Sequence, residues 1–120
     1  MGKVKPSISV EQVAILKSLN NALEPFRAER GTMPLQYVTA FLLVAADEHQ
    51  NVSEYARRAN TSQSLMTRHL ADLGKINRYH KPGMGLVEAY EDLMDRRNSL
   101  VCLSAKGKSV AWKMCEILGT

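Results

Sequence analysis

Two groups of side chains in this 120-residue chain have the types and spacing to grip a polyanion. The first is Ser62, Gln63, Ser64, Thr67 and Arg68, which fall within seven residues. If that stretch is helical with Met66, Leu70 and Leu73 turned inward, its outer face is Gln63, Ser64, Thr67, Arg68 and Ala71. Such a face is small and polar, with one guanidinium, and suits close approach to base edges and phosphates. A glutamine can pair bidentately with adenine and an arginine with guanine, while serine and threonine reach either bases or phosphates. A merely solvated helix face usually favours Ala, Glu or Lys, so the hydroxyl-rich run weighs toward recognition. The second group is Asp95-Arg96-Arg97, set in a polar turn. An exposed ion pair closing that turn is the plain alternative, but such a pair contributes only about 0–1 kcal/mol.

Charge points the same way. Residues 57–81 carry Arg57, Arg58, Arg68, Lys75, Arg78 and Lys81 against Asp72 alone, whereas the whole chain is only +4 and residues 1–49 are balanced. A local field of this sign attracts polyanions, although a solvated basic face without a partner would look the same.

Other chemistries find little footing. Paired carboxylates, a glycine-rich phosphate loop, a metal-ligand cluster and nucleophile–base spacing are all missing from the sequence. An enzyme is therefore not expected, and neither is a cofactor or a metal. His69 reads as a packing residue or phosphate donor, and the scattered methionines Met33, Met66, Met84, Met94 and Met114 read as core filler. Cys102 and Cys115 form no CxxC pattern, which suits a reduced, cytoplasmic protein. A composition of 45% apolar and 23% charged residues is too apolar for disorder. The longest apolar run, Ala40 to Ala46, is far short of the ~20 residues of a membrane span. Lys3 and Lys5 are not followed by the apolar stretch of a signal peptide.

The elements that must position these groups can be read from caps and periodicity. Ser9-Val10-Glu11-Gln12 is a capping box opening a first helix with Val13, Leu16, Leu19 and Leu23 at helical spacing. It should end near Pro25, with residues 26–33 as a connection. Pro34 should be the first residue of a central second helix burying Leu35, Val38, Phe41, Leu42 and Ala45. Asn51 caps a short third helix, Asn60 supplies a left-handed stop, and Ser62 caps a fourth. Pro82, Gly83 and Gly85 should stop any helix over 75–85 short of its end. Residues 86–91 and 99–103 then form an antiparallel hairpin around a turn over 92–98. Ser104 opens a last helix with Val110, Ala111, Met114, Ile117 and Leu118 on one stripe.

A tight helix pair followed by a two-stranded hairpin is a winged helix, a mainly α fold with a small β-hairpin (α+β). Residues 33 to about 110 resemble the MarR family of bacterial winged-helix regulators. The matching stretches are Val52-Ser53-Glu54-Tyr55-Ala56-Arg57-Arg58-Ala59 and Ser62-Gln63-Ser64-Leu65-Met66-Thr67-Arg68. The most discriminating is Asp95-Arg96-Arg97 followed by Leu100-Val101-Cys102-Leu103-Ser104-Ala105-Lys106-Gly107, which fits the family's D-x-R and L-[TS]-x-x-G wing pattern. The resemblance implies one winged-helix domain over residues 1–120, with the helix-turn-helix at about 52–73, the wing at about 86–103, and dimerisation helices at about 10–23 and 105–118. It implies that Arg97 enters a minor groove, that Asp95 holds it, and that Arg96 contacts a phosphate. Three departures stand out. The Lys75–Gly85 link is longer than usual and would extend the phosphate footprint, lengthen the recognition helix by a turn, or form a flexible loop. The chain ends soon after the last helix, so dimerisation would rest on the first helix and on Trp112, Met114, Ile117 and Leu118. The first helix also lacks the cysteine of the family's peroxide-sensing branch; Cys102 instead reads as a small packing residue.

The leading expectation is a homodimeric, sequence-specific regulator of transcription that binds double-stranded DNA in the cytoplasm. Its contacts would be Ser62, Gln63, Ser64, Thr67, Arg68 and Asp95-Arg96-Arg97, with Arg57, Arg58, Lys75, Arg78 and Lys81 positioning it on phosphates. A phage or plasmid accessory protein for replication, packaging or partition is an alternative, as is a winged helix that binds another protein. No residue marks an effector pocket.

Overall fold

A computed structural model of the chain describes residues 7–75 and 82–119. In chain order the elements are α1 (Val10–Ala22), α2 (Glu24–Glu29), α3 (Leu35–Ala46), β1 (Gln50–Asn51), α4 (Val52–Arg58), α5 (Gln63–Leu73), β2 (Val87–Glu91), β3 (Ser99–Leu103) and α6 (Ala105–Ile117). The capping box of α1 forms: the Ser9 hydroxyl accepts from the Gln12 amide (3.1 Å), and the Gln12 side chain accepts from the Ser9 amide (2.9 Å).

The chain does not leave helix at Pro25. Leu23 closes α1 in right-handed backbone and α2 begins at once, with Pro25 in its first turn, where a missing N–H breaks no hydrogen bond. The expected connection over 26–33 is thus helical as far as Glu29, and Phe26 turns edge-on to Phe41 in the core, with ring centroids 5.2 Å apart. Pro34 is not inside the next helix either; it is the N-cap, with extended ψ, and α3 starts at Leu35. The expected inward stripe of α3 holds at Val38 and Phe41 and fails at Leu35 and Leu42, which are 73% and 44% exposed; Ala40 and Val44 are buried instead. In a helix that is apolar almost all round, periodicity does not choose the inward face.

The helix pair forms as its caps predict. The Asn51 side chain accepts from the Glu54 amide, Asn60 adopts φ 55°, and the Ser62 hydroxyl accepts from the Leu65 amide. Met66, Leu70 and Leu73 are buried, and α5 packs on both α3 and α4.

The hairpin pairs from Val87↔Leu103 to Glu91↔Ser99, and β1 adds a third strand through Gln50↔Val101, giving the order β1-β3-β2. A two-residue strand carries no periodicity, so β1 is invisible in the sequence. Its effect is to tie the start of α4 to the wing. Beneath it Tyr55 is fully buried, with its hydroxyl donating to the Asp47 carbonyl (2.7 Å) and accepting from the Gln50 amide (3.2 Å).

Ser104 caps α6 by accepting from the Gly107 amide (2.9 Å) and donates to the Gly85 carbonyl (2.6 Å). Val110 and Met114 are buried, but Ile117 and Leu118, expected on the same stripe, are exposed, as is Trp112 at 72%. Helix α1 lies against α6, and its Val13, Leu16 and Leu19 remain open. Among the described residues no helix is long and apolar enough to cross a membrane.

Candidate nucleic-acid interface

On α5 the side chains of Gln63, Ser64, Thr67 and Arg68 are exposed, as expected, while Ala71 is half-buried and Leu65 joins the exposed set. Several of these groups are already committed. Ser62 caps the helix and lies 3.3 Å from the Ser64 hydroxyl; Thr67 donates its hydroxyl proton to the Gln63 carbonyl (2.8 Å). Ser53, on α4, donates to the Gln63 side-chain oxygen (2.8 Å). That cross-helix contact had no signal in the sequence, because it joins residues ten apart through the turn.

The basic excess over 57–81 is smaller in space than in sequence. Glu54 and Asp47, just outside that window, return to it: Arg57 bonds to Glu54, while Arg58 reaches both Glu54 and Asp47 at 2.9 Å. The two guanidiniums hold the Glu54 carboxyl down to about 2. Arg57 stays largely exposed, so its unused N–H groups remain open to a phosphate. Arg68 and Lys75 are exposed and form no ion pair among the described residues. Arg78 and Lys81 lie outside the described residues.

At the end of the wing, Asp95 accepts from the Arg97 amide (3.2 Å), from Arg97 Nε (3.1 Å) and from Arg97 Nη2 (3.3 Å), as well as from the Asn98 side chain. The bonds from Arg97, its side-chain ones first and then its amide, hold the Asp95 carboxyl below the ordinary carboxylate value. Arg97 is nonetheless 90% exposed along its side chain. Arg96 lies 3.7 Å from Glu91 and is also exposed. Beside them Leu93 and Met94 project from the tip; Met94, expected as core filler, is 95% exposed because it sits in the turn rather than on either strand.

The link between α5 and the wing is clamped at its base. Helix α5 is not lengthened by a turn but stops at Leu73. The amides of Gly83, Met84, Gly85 and Leu86 then donate to the carbonyls of Lys75, Asp72, Gly74 and Leu73 at 2.7–3.0 Å. Lys106 secures the same strip, its ammonium donating to the Met84 carbonyl (3.0 Å) and pairing with Glu29 (2.5 Å). A Cβ on Gly83 would stand 2.2 Å from the Gly74 oxygen, which explains the glycine there. The ends of the long insertion are therefore joined directly, and the hairpin is fixed to α5 across them.

No family model and no curated protein matches the chain. Solved structures do. Transcriptional regulator PA4135 superposes with a TM-score of 0.60 at 18% identity, covering 95% of this chain and 77% of its own. A mutant MarR from E. coli complexed with operator DNA gives 0.63 at 19% identity, covering 92% and 69%. Streptococcus pneumoniae FabT in complex with DNA gives 0.63 at 16% identity, covering 88% and 66%. This chain has the MarR-type winged-helix fold. In that fold α4 and α5 are the tight helix pair, β2 and β3 the hairpin that follows it, and α1 and α6 the flanking helices.

Proposed function

We propose that the chain is a sequence-specific transcriptional regulator that binds double-stranded DNA as a homodimer, within a single winged-helix domain. The observation that carries this reading is the Asp95–Arg97 pair: a guanidinium 90% exposed at the end of a hairpin, aimed by a carboxylate. An arginine so held suits a narrow minor groove, where the negative potential is concentrated. Two of the similar structures, MarR and FabT, hold DNA.

In this reading α5 enters the major groove with Gln63, Ser64, Thr67 and Arg68 toward the base edges. Ser62, Arg57, Lys75, Arg78, Lys81 and Arg96 contact phosphates, and Arg97 enters the minor groove held by Asp95. The second protomer docks on the exposed apolar sides of α1 (Val13, Leu16, Leu19) and α6 (Trp112, Ile117, Leu118). The dimer then spans half-sites about one helical turn apart.

Selection of bound fragments from random duplex DNA tests this directly. The expected product is a palindrome whose affinity falls by about three to five decades between low and moderate salt, as roughly ten cationic phosphate contacts, five from each protomer, require. Recovery of no motif, or binding that is flat with salt, overturns the reading.

A further inference from the structure

The recognition face has a hydrogen-bond polarity imposed from within the protein. Gln63 sits at the first position of α5, and its side-chain oxygen already accepts a proton from Ser53 Oγ at 2.8 Å. Ser53 lies in the first turn of α4, so the contact spans the two helices of the helix-turn-helix. An amide offers one carbonyl oxygen and two N–H donors. With the oxygen turned to Ser53, the amide nitrogen and both its hydrogens face away. Thr67 is constrained in the opposite sense: its hydroxyl proton is spent on the Gln63 carbonyl, one turn back (2.8 Å), so that toward a ligand its oxygen only accepts. That bond also fixes the residue whose side chain Ser53 turns. Arg68, exposed one position further on, is a donor only.

We propose that Ser53 is a positioning residue for DNA readout, and that it presets Gln63 as a hydrogen-bond donor that reads guanine. The usual glutamine–adenine pair needs the amide oxygen to accept from adenine N6 while the nitrogen donates to N7. Ser53 already fills one of the two lone pairs of that oxygen and fixes its direction, which disfavours this pairing. Guanine offers two adjacent acceptors, N7 and O6, and no donor beside them in the major groove, which matches an amide whose oxygen is engaged by Ser53 and whose N–H donors are turned outward. This inference rests on the DNA-binding reading above and sharpens it at one base pair.

The test is selection from random duplex DNA with the full chain and three variants, Gln63→Ala, Ser53→Ala and Ser53→Thr. Gln63→Ala should lose preference at one position of each half-site, and in the motif of the unsubstituted chain that position should be a G·C pair with guanine on the contacted strand. Ser53→Ala should relax the same position by about tenfold, leaving the other positions and the salt slope as they were; Ser53→Thr should restore it. A loss of helix stability alone would weaken all positions together and would not be rescued in this pattern. An A·T pair at the Gln63 position overturns the proposal, and so does a Ser53→Ala motif identical to that of the unsubstituted chain. Enrichment of no motif by the unsubstituted chain overturns the DNA-binding reading itself, and this inference falls with it.

Discussion

Asp95 and Arg97 are bound through both backbone and side chain: one carboxylate accepts from the Arg97 amide and from two of its guanidinium nitrogens, all within 3.3 Å. The pair is exposed, so it adds little to stability. In the proposed function what it provides is aim. Asp95→Ala should leave unfolding unchanged and weaken duplex binding nearly as much as Arg97→Ala. Urea denaturation and fluorescence anisotropy, measured side by side, check both halves; an affinity unchanged by Asp95→Ala would remove the aiming role.

Gly107 is required by the packing of α6. A Cβ there would lie 2.0 Å from the Leu86 carbonyl oxygen, a backbone atom that also accepts from the Ser104 amide. Gly107→Ala should therefore force α6 away from the wing and cost about 1–3 kcal/mol in denaturant unfolding, even though alanine is the better helix former. A variant as stable as the parent would show that α6 can shift without penalty.

Glu54 gives the acid side of the stability curve. Arg57 first, then Arg58, hold its carboxyl at about 2, well below the 4.5 of an unpaired glutamate. Because the unfolded chain takes up the proton first, this stabilisation is complete above the unfolded value and is lost as pH falls toward about 2. Replacing the residue in Glu54→Gln should flatten stability across that window. Thermal melts between about pH 5 and 2 read it, and an acid limb as steep as the parent's would count against the pairing.

His69 acts in the same direction at higher pH. Its partial burial on α5 beside Tyr37, whose ring it meets edge-on at 5.1 Å, lowers the imidazole pKa; Asp72 opposes this more weakly. The unfolded chain therefore protonates first, near 6.5, and stability declines as pH falls below that value. His69→Phe should remove the decline, keeping the aromatic edge and losing the proton. Melting temperatures compared at about pH 7.5 and 5.5 decide it.

Local signals carried much of the fold. Caps at Ser9, Asn51, Ser62 and Ser104, together with the left-handed Asn60, set four helix starts and one stop, because each depends on atoms only a few residues apart. The inward stripe of α5 was legible for the same reason. Pro25 misled, since a proline is as compatible with the first turn of a new helix as with the end of an old one. The face of α3 misled because its apolar residues run nearly all round.

The candidate site divides along the same line. Which residue types could meet a nucleic acid, and that they cluster at 62–68 and 95–97, came from the amino-acid order alone. The tertiary structure alone decided which of them are committed elsewhere: Glu54 and Asp47 folding back on Arg57 and Arg58, Ser53 turning Gln63, and the strip from Gly83 to Leu86 clamping the wing to α5. Hydrogen-bond partners and charge neutralisation depend on separations in space, and a linear chain does not carry those until its core has closed.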